Sequence, residues 1–331
     1  MLTAQTASDI PQTRLTNGPL QMTVYLPDAQ HGYYRGTRFD WAGVVQDLEY
    51  KGHRIYGPWY TKTDPHVRDF IYDGSDIIAG PCSAIMGPVE EFTTNHKGLG
   101  YDEAKAGGTF VKIGVGVLRK PDNSEYSPYH LYEIVDPGKR TVHTTATSVE
   151  FTHELRDPAS GYAYTYRKTL RLAPGKPELV IEHSLRNTGQ KSIQTSVYDH
   201  NFFVPDHLPP GPGTVITVPF KIEAAQPPEN GLAEIRGNQL IYLKQLQGEE
   251  RVTSAIKGFN DSAKDYDVRV ENAKAGVGFH VTGDRPLASV YLWSIRSVVS
   301  MEPYIDMSIE PGSEFTWKYS YEYFTVPATN H

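Results

Sequence analysis

Cysteine is almost missing from this chain. The single Cys82 excludes an internal disulfide and leaves no thiolate set for a zinc site. In its Pro-Cys-Ser loop, burial is its default. Basic runs are also missing. With 32 Lys and Arg against 39 Asp and Glu, the net charge is −7, and no electrostatic footprint for nucleic acid is present. No apolar run approaches the roughly 20 residues that span a bilayer, so a membrane partner is not expected. Repeats, heptads and low-complexity segments are absent. Gly114-Val115-Gly116 is not a phosphate loop, because the third glycine is missing and no helix follows. Acidic loop residues are plentiful, but none has calcium-loop spacing. No metal and no organic cofactor is expected.

Glycine (29), proline (24) and tyrosine (22) are frequent among the 331 residues. Tyrosine favours strands, and Gly and Pro favour the turns between them. Met1-Leu-Thr-Ala-Gln-Thr-Ala has neither a charged n-region nor an apolar h-region, so no signal peptide is read there. Its small and polar residues also suit the trimmed end of a secreted chain. Localisation, in the cytoplasm or in the periplasm, therefore stays open, as does oligomeric state.

Residues 1–20 read as a loose arm, and 21–328 as one β domain. Short alternating runs separated by turn chemistry recur from Gln21 to Phe324. Phe110 to Leu118 and Thr141 to Leu155 each read as one strand. Tyr162 to Leu172, Glu178 to Leu185, Ser192 to Phe203 and Ser297 to Ile309 follow. Residues 61–110 read as long loops, the usual carriers of binding groups on a β scaffold. The fold class is all-β: a large antiparallel twisted sandwich with few short helices.

Two titratable groups stand out. His200 lies in Tyr198-Asp199-His200-Asn201-Phe202-Phe203, and Glu302 lies about a hundred residues later near a strand end. An imidazole with an ordinary pKa of about 6.5 is a natural acid–base group, and a facing carboxylate can take a proton while it gives one. Either residue could instead be structural. Arg38, Asp40, Glu91 and Lys112 are candidate polar contacts, since Arg presents a fixed fork of donors. Trp41, Trp59 and Trp293 could stack on a ring or pack in the core. Tyr291 and Trp293 flank the candidate site, which favours Trp293.

Residues 162–324 resemble the galactose mutarotase (aldose 1-epimerase) superfamily. The hairpin from Tyr166 through Leu179 to Asn187 leads to Asp199-His200-Asn201-Phe202-Phe203, where the family has Asn-His-x-Tyr-Phe. The strand ending at Tyr291, then Met301-Glu302-Pro303, then Ile309-Glu310-Pro311-Gly312-Ser313-Glu314 and the aromatic strand Trp317 to Phe324 follow in family order. The resemblance implies a sugar cleft on a β-sandwich, with His200 protonating the ring oxygen and Glu302 taking the anomeric proton. The first half lacks the family's Asn-Arg and His-Gly-Gly stretches. His96, followed by Lys-Gly-Leu-Gly-Tyr101, is the nearest candidate for its second histidine. Asp199 stands where the family has Asn, and contact with His200 would raise that histidine's pKa.

The expected function is therefore interconversion of the anomers of a free sugar. Arginines and Lys112 would suit an acidic or decorated one. A carbohydrate-binding protein without catalysis is one alternative. A polysaccharide lyase or glycosidase is another, with Glu90 or Glu91 pairing with Glu302.

Overall fold

Successive side chains on a strand point to opposite faces, so a strand packed on one side buries every second residue. Ser148–Asp157, Tyr162–Leu172 and Glu314–Thr325 follow this alternation over most of their length. The computed structural model describes residues 10–228 and 231–327. Its largest sheet has ten strands. Lys139–Thr144, Ser148–Asp157, Tyr162–Leu172, Glu178–Asn187 and Glu314–Thr325 lead on to Val277–Gly283, Asp267–Asn272, Thr214–Thr217, Gln239–Tyr242 and Ala233–Arg236. A six-stranded sheet runs Glu223–Ala224, Arg251–Lys257, Ser289–Ile295, Val298–Ile309, Ile193–Asn201, Pro88–Thr93. All pairing in both is antiparallel. Helical structure among the described residues is limited to two short 3-10 turns, Pro205–His207 and Ala263–Asp265. No helix there is long and apolar enough to cross a membrane.

The main core fills the space between the two large sheets. Tyr166, Leu170, Ile181 and Tyr321 from one sheet join Val197, Leu292, Met301 and Ile305 from the other. A second core, with Phe39, Trp59, Phe202 and Val298, lies on the outer face of the six-stranded sheet. This cover changes the strands beneath it. Ile193–Asn201 alternates at its start and is then buried on both faces from Val197. Val298–Ile309 is buried on both faces through Pro303 and alternates afterwards. The doubly buried halves meet, and they carry His200 and Glu302.

Several expectations need correction. Within the stretch read as an arm, Gln12–Thr16 is a strand paired with Leu20–Tyr25; residues 1–9 lie outside the described residues. The stretch 61–110 is more regular than expected, with the Phe70–Asp73/Asp76–Ala79 hairpin and the strand Pro88–Thr93. Phe110 to Leu118 is two strands, Thr109–Lys112 and Gly116–Arg119, joined at Gly114. Gly114 has φ +80, and a Cβ there would lie 2.6 Å from Asp40 Oδ1. Only glycine fits that turn. Thr141 to Leu155 divides likewise between Lys139–Thr144 and Ser148–Asp157. The strand Arg251–Lys257 was not foreseen.

Candidate active site

His200 and Glu302 sit on neighbouring antiparallel strands. Their register runs from Ile193↔Ile309 to Tyr198↔Tyr304 and resumes at the bridge Phe203↔Val299. The same offset on both sides places His200 directly opposite Glu302. Both side chains face outward, because Met301 and Ile305, one parity away, point into the main core.

His200 Nε2 lies 3.2 Å from Glu302 Oε1. On its other side, His200 Nδ1 lies 2.7 Å from Ser300 Oγ. Ser300 is two residues before Glu302 and therefore on the same face. The imidazole stacks on Phe202 with centroids 3.8 Å apart, and the edges of Phe39 and Trp293 close its flanks. Each of the two titratable residues keeps only 5% of its surface exposed. Burial lowers the His200 pKa well below its ordinary value, with the Arg38 charge adding to the effect. Burial raises the Glu302 carboxyl to about 8, against the opposing pull of Arg38. Both shifts favour the uncharged forms, as desolvation dictates.

The pair forms part of the wall of a cleft of about 340 Å3, a size suited to one small ligand. Trp59, Trp293, Phe70 and Tyr291 supply aromatic wall, and Asp69, Arg38 and Arg251 supply charge. Arg38 is held rather than free. Its Nε donates to Glu91 Oε2 at 2.7 Å and its Nη2 to the Tyr198 hydroxyl at 3.1 Å. The same Tyr198 hydroxyl donates to Glu91 at 2.6 Å, and Lys112 Nζ donates to the other carboxylate oxygen at 3.0 Å. With two cations and a phenol around it, Glu91 stays ionised, and its pKa falls to about 2 despite burial.

The expected residues thus divide. His200, Glu302, Arg38 and Trp293 line one cleft, and so does Trp59. Glu91 and Lys112 do not line it; they form the buried support beneath Arg38. Three further readings as sugar contacts are corrected. Asp199 is one residue from His200, so it faces the opposite side, into the space between the sheets. There its Oδ2 meets the Tyr321 hydroxyl at 2.5 Å, and burial raises its pKa to about 8. It cannot tune the imidazole by contact. Asp40 is also fully buried behind the sheet, where its Oδ1 accepts from the Ala42 N–H at 3.0 Å and its Oδ2 lies 3.9 Å from Lys168. His96 stands on an exposed turn with φ 64 and borders a separate depression with Asn95 and Asp306. Trp41 is core, its indole N–H donating to the Gly36 carbonyl at 2.8 Å.

Ser300, Phe202, Asp69, Arg251 and Tyr129 were missed. Strand parity could have found Ser300, and the aromatic pair after His200 could have found Phe202. Asp69, Arg251 and Tyr129 arrive from distant segments and leave no local signal. Among the described residues, no three His, Cys, Asp or Glu side chains gather as a metal set.

Solved structures place this architecture. Slr1438 from Synechocystis sp. PCC 6803 is similar over 98% of this chain and 100% of its own, with a TM-score of 0.55 at 13% identity. The GalM/aldose epimerase homologue from C. elegans matches over 96% of this chain and 99% of its own, at TM-score 0.55 and 11% identity. A galactose mutarotase-like protein from Clostridium acetobutylicum matches over 96% and 100%, at TM-score 0.50 and 11% identity. The fold is galactose mutarotase-like. No family model matches the sequence, and no curated protein matches it. At these identities the likeness is one of fold. On this mutarotase-like scaffold, the outer face of the six-stranded sheet carries the cleft.

Proposed function

We propose that this chain catalyses the interconversion of the α and β anomers of a free sugar. The observation that carries the reading is the 3.2 Å contact of His200 Nε2 with Glu302 Oε1 in an aromatic-walled cleft. Anomer exchange needs one proton delivered to the ring oxygen and one removed from the anomeric hydroxyl. A neutral imidazole with a protonated carboxyl holds the same number of protons as an imidazolium with a carboxylate. Transfer across the contact converts the resting pair into the charged pair once sugar hydroxyls solvate it. His200 then donates to the ring oxygen while Glu302 takes the anomeric proton. The C1–O5 bond opens to the aldehyde, C1–C2 rotates, and reclosure on the other face returns both protons. Such general acid–base assistance contributes about 10²–10⁴-fold. Ser300 orients the imidazole, and Trp293 offers an apolar face to the sugar ring.

The two-carboxylate alternative fits less well. Glu90 accepts from Lys168 and His183 behind the sheet, and Glu91 lies beneath Arg38. Neither lines the cleft. The test is anomer exchange followed by NMR for neutral and acidic sugars. Wild type should accelerate one class, and His200→Ala and Glu302→Gln should each lose about 10²-fold or more with the fold retained. Line broadening of a sugar without acceleration would instead mean a binding protein. No effect on any sugar would overturn the reading.

A further inference from the structure

Bridge Phe203↔Val299 is bonded in both directions, with Phe203 N–H to Val299 O at 2.9 Å and Val299 N–H to Phe203 O at 3.2 Å. Hydrogen-bonded pairs in an antiparallel ladder recur every second residue. Asn201 opposite Met301, and Asp199 opposite Pro303, are therefore the next two bonded positions. Neither forms a regular ladder pair, since the register lapses between Tyr198 and Phe203. One cause is plain: Pro303 has no N–H to give to Asp199. The break falls at the pair His200 and Glu302.

The Asn201 side chain fills the gap. Its Nδ2 donates to the Met301 carbonyl at 2.8 Å and to the Asp199 carbonyl at 3.2 Å. Those are the acceptors that the missing ladder bonds would have used. Its Oδ1 lies 2.8 Å from the Tyr321 hydroxyl of the facing sheet. The Met301 carbonyl belongs to the peptide that enters Glu302, and Asn201 directly follows His200. One fully buried amide thus ties the backbones of both groups together and anchors them to the second sheet.

We propose that Asn201 is a positioning residue that sets the spacing of His200 and Glu302 by replacing the ladder bonds missing at Met301 and Asp199, the latter being the one Pro303 cannot give. The role rests on the acid–base reading of that pair, but the clamp has a readout of its own. Without it the strands part, water reaches the imidazole, and the two side chains lose their fixed separation. A displacement near 1 Å costs catalysis about 10²-fold.

The experiment compares wild type, Asn201→Ala and the double variant Asn201→Ala with Pro303→Ala. His200 is titrated by NMR of its ring carbon and nitrogen signals, and anomer exchange is measured on the sugar that wild type accelerates. Asn201→Ala should bring the His200 pKa up toward its ordinary value and lower kcat about 10²-fold, with KM within about twofold. Restoring an N–H at position 303 should recover part of both. If Asn201→Ala does not fold, Asn201→Ser, which keeps a polar atom for Tyr321, is read in the same way. An unchanged titration and unchanged kcat in a folded variant would overturn the proposal. If wild type accelerates no sugar, the functional reading fails, while the His200 titration still decides the clamp.

Discussion

A carboxyl and an imidazole in contact in a dry cleft hold one proton between them over a wide pH range. Above about pH 8 the buried Glu302 gives that proton up, and the pair can no longer supply an acid. Far below the ordinary histidine value, His200 takes a second proton, and the pair can no longer supply a base. Anomer exchange should therefore show a plateau through neutrality, an alkaline limb near pH 8 and an acid limb well below pH 6.5. Because the groups touch, these limbs report the pair rather than either residue. Rates of anomer exchange across pH 4 to 10 check this. Glu302→Gln should remove the alkaline limb along with most of the rate, and an alkaline limb unchanged in that variant would assign it to another group. The two residues themselves were legible in the sequence, because each sits in a recognisable motif. Asp199 was not placed correctly from the motif alone: adjacency in sequence is opposition in space on a strand.

Four elements converge on Glu91: its own strand, the loop of Arg38, the strand that ends at Lys112, and Tyr198 beside it. The Arg38 and Lys112 side chains are 14% and 1% exposed, so both charges depend on this carboxylate. Removing one member of a buried ionic set leaves the others uncompensated, typically at a cost of about 3–5 kcal/mol. Glu91→Ala should therefore lose stability on that scale in urea unfolding. Glu182→Ala, which breaks the exposed pair with Arg171, should lose no more than about 1 kcal/mol. Equal losses would show that the cluster is not what locks the cleft wall. At this scale the sequence gives long alternating strands plainly, since Tyr162–Leu172 buries one parity. It hides Pro88–Thr93, whose six residues show five buried in a row. A strand covered on both faces has no alternation to read. The turn at Gly114 was hidden too, because it depends on Asp40, which is far away in sequence.

Between the two sheets the molecule seals a second ionisable cluster: Asp40, Glu90, Lys168, His183 and Asp199, every side chain shut off from solvent. His183 Nε2 lies 2.6 Å from Glu90 Oε1, and Lys168 reaches both Glu90 and the Ala42 carbonyl. Their attraction holds the Glu90 carboxyl near 2, although burial opposes it. The remaining carboxyls feel Lys168 only from farther off, with Asp40 Oδ2 at 3.9 Å, and burial outweighs it. Asp199 is raised to about 8 and Asp40 to about 6, first by burial. A protonated Asp199 keeps its proton and donates a hydrogen bond to the Tyr321 oxygen, which leaves the Tyr321 O–H to donate to Asn201 Oδ1. Near neutrality Asp199 thus stays a neutral acid, whereas Asp40 is neutral only below about pH 6. Together with Glu302, Asp199 makes the whole fold sensitive to base. Each carboxyl is raised above its unfolded value near 4, so the native state binds protons that the unfolded chain has already released. The stability these groups contribute is complete below about pH 4 and is lost as pH rises through about 8. Buried neutral histidines act in the opposite sense, but only below their ordinary pKa of about 6.5. Between pH 6.5 and 8 the carboxyls therefore act alone. Stability should fall there by up to about 1.4 kcal/mol per pH unit for each, then level off above pH 8. Thermal unfolding across pH 6 to 9 measures it. Asp199→Asn, which keeps the shape and a donor for Tyr321 without an ionisable group, should flatten the decline by roughly half. A melting temperature that rises from pH 6.5 to 8 in wild type would mean that these carboxyls are ionised in the folded protein and that the buried space is wetter than its packing implies.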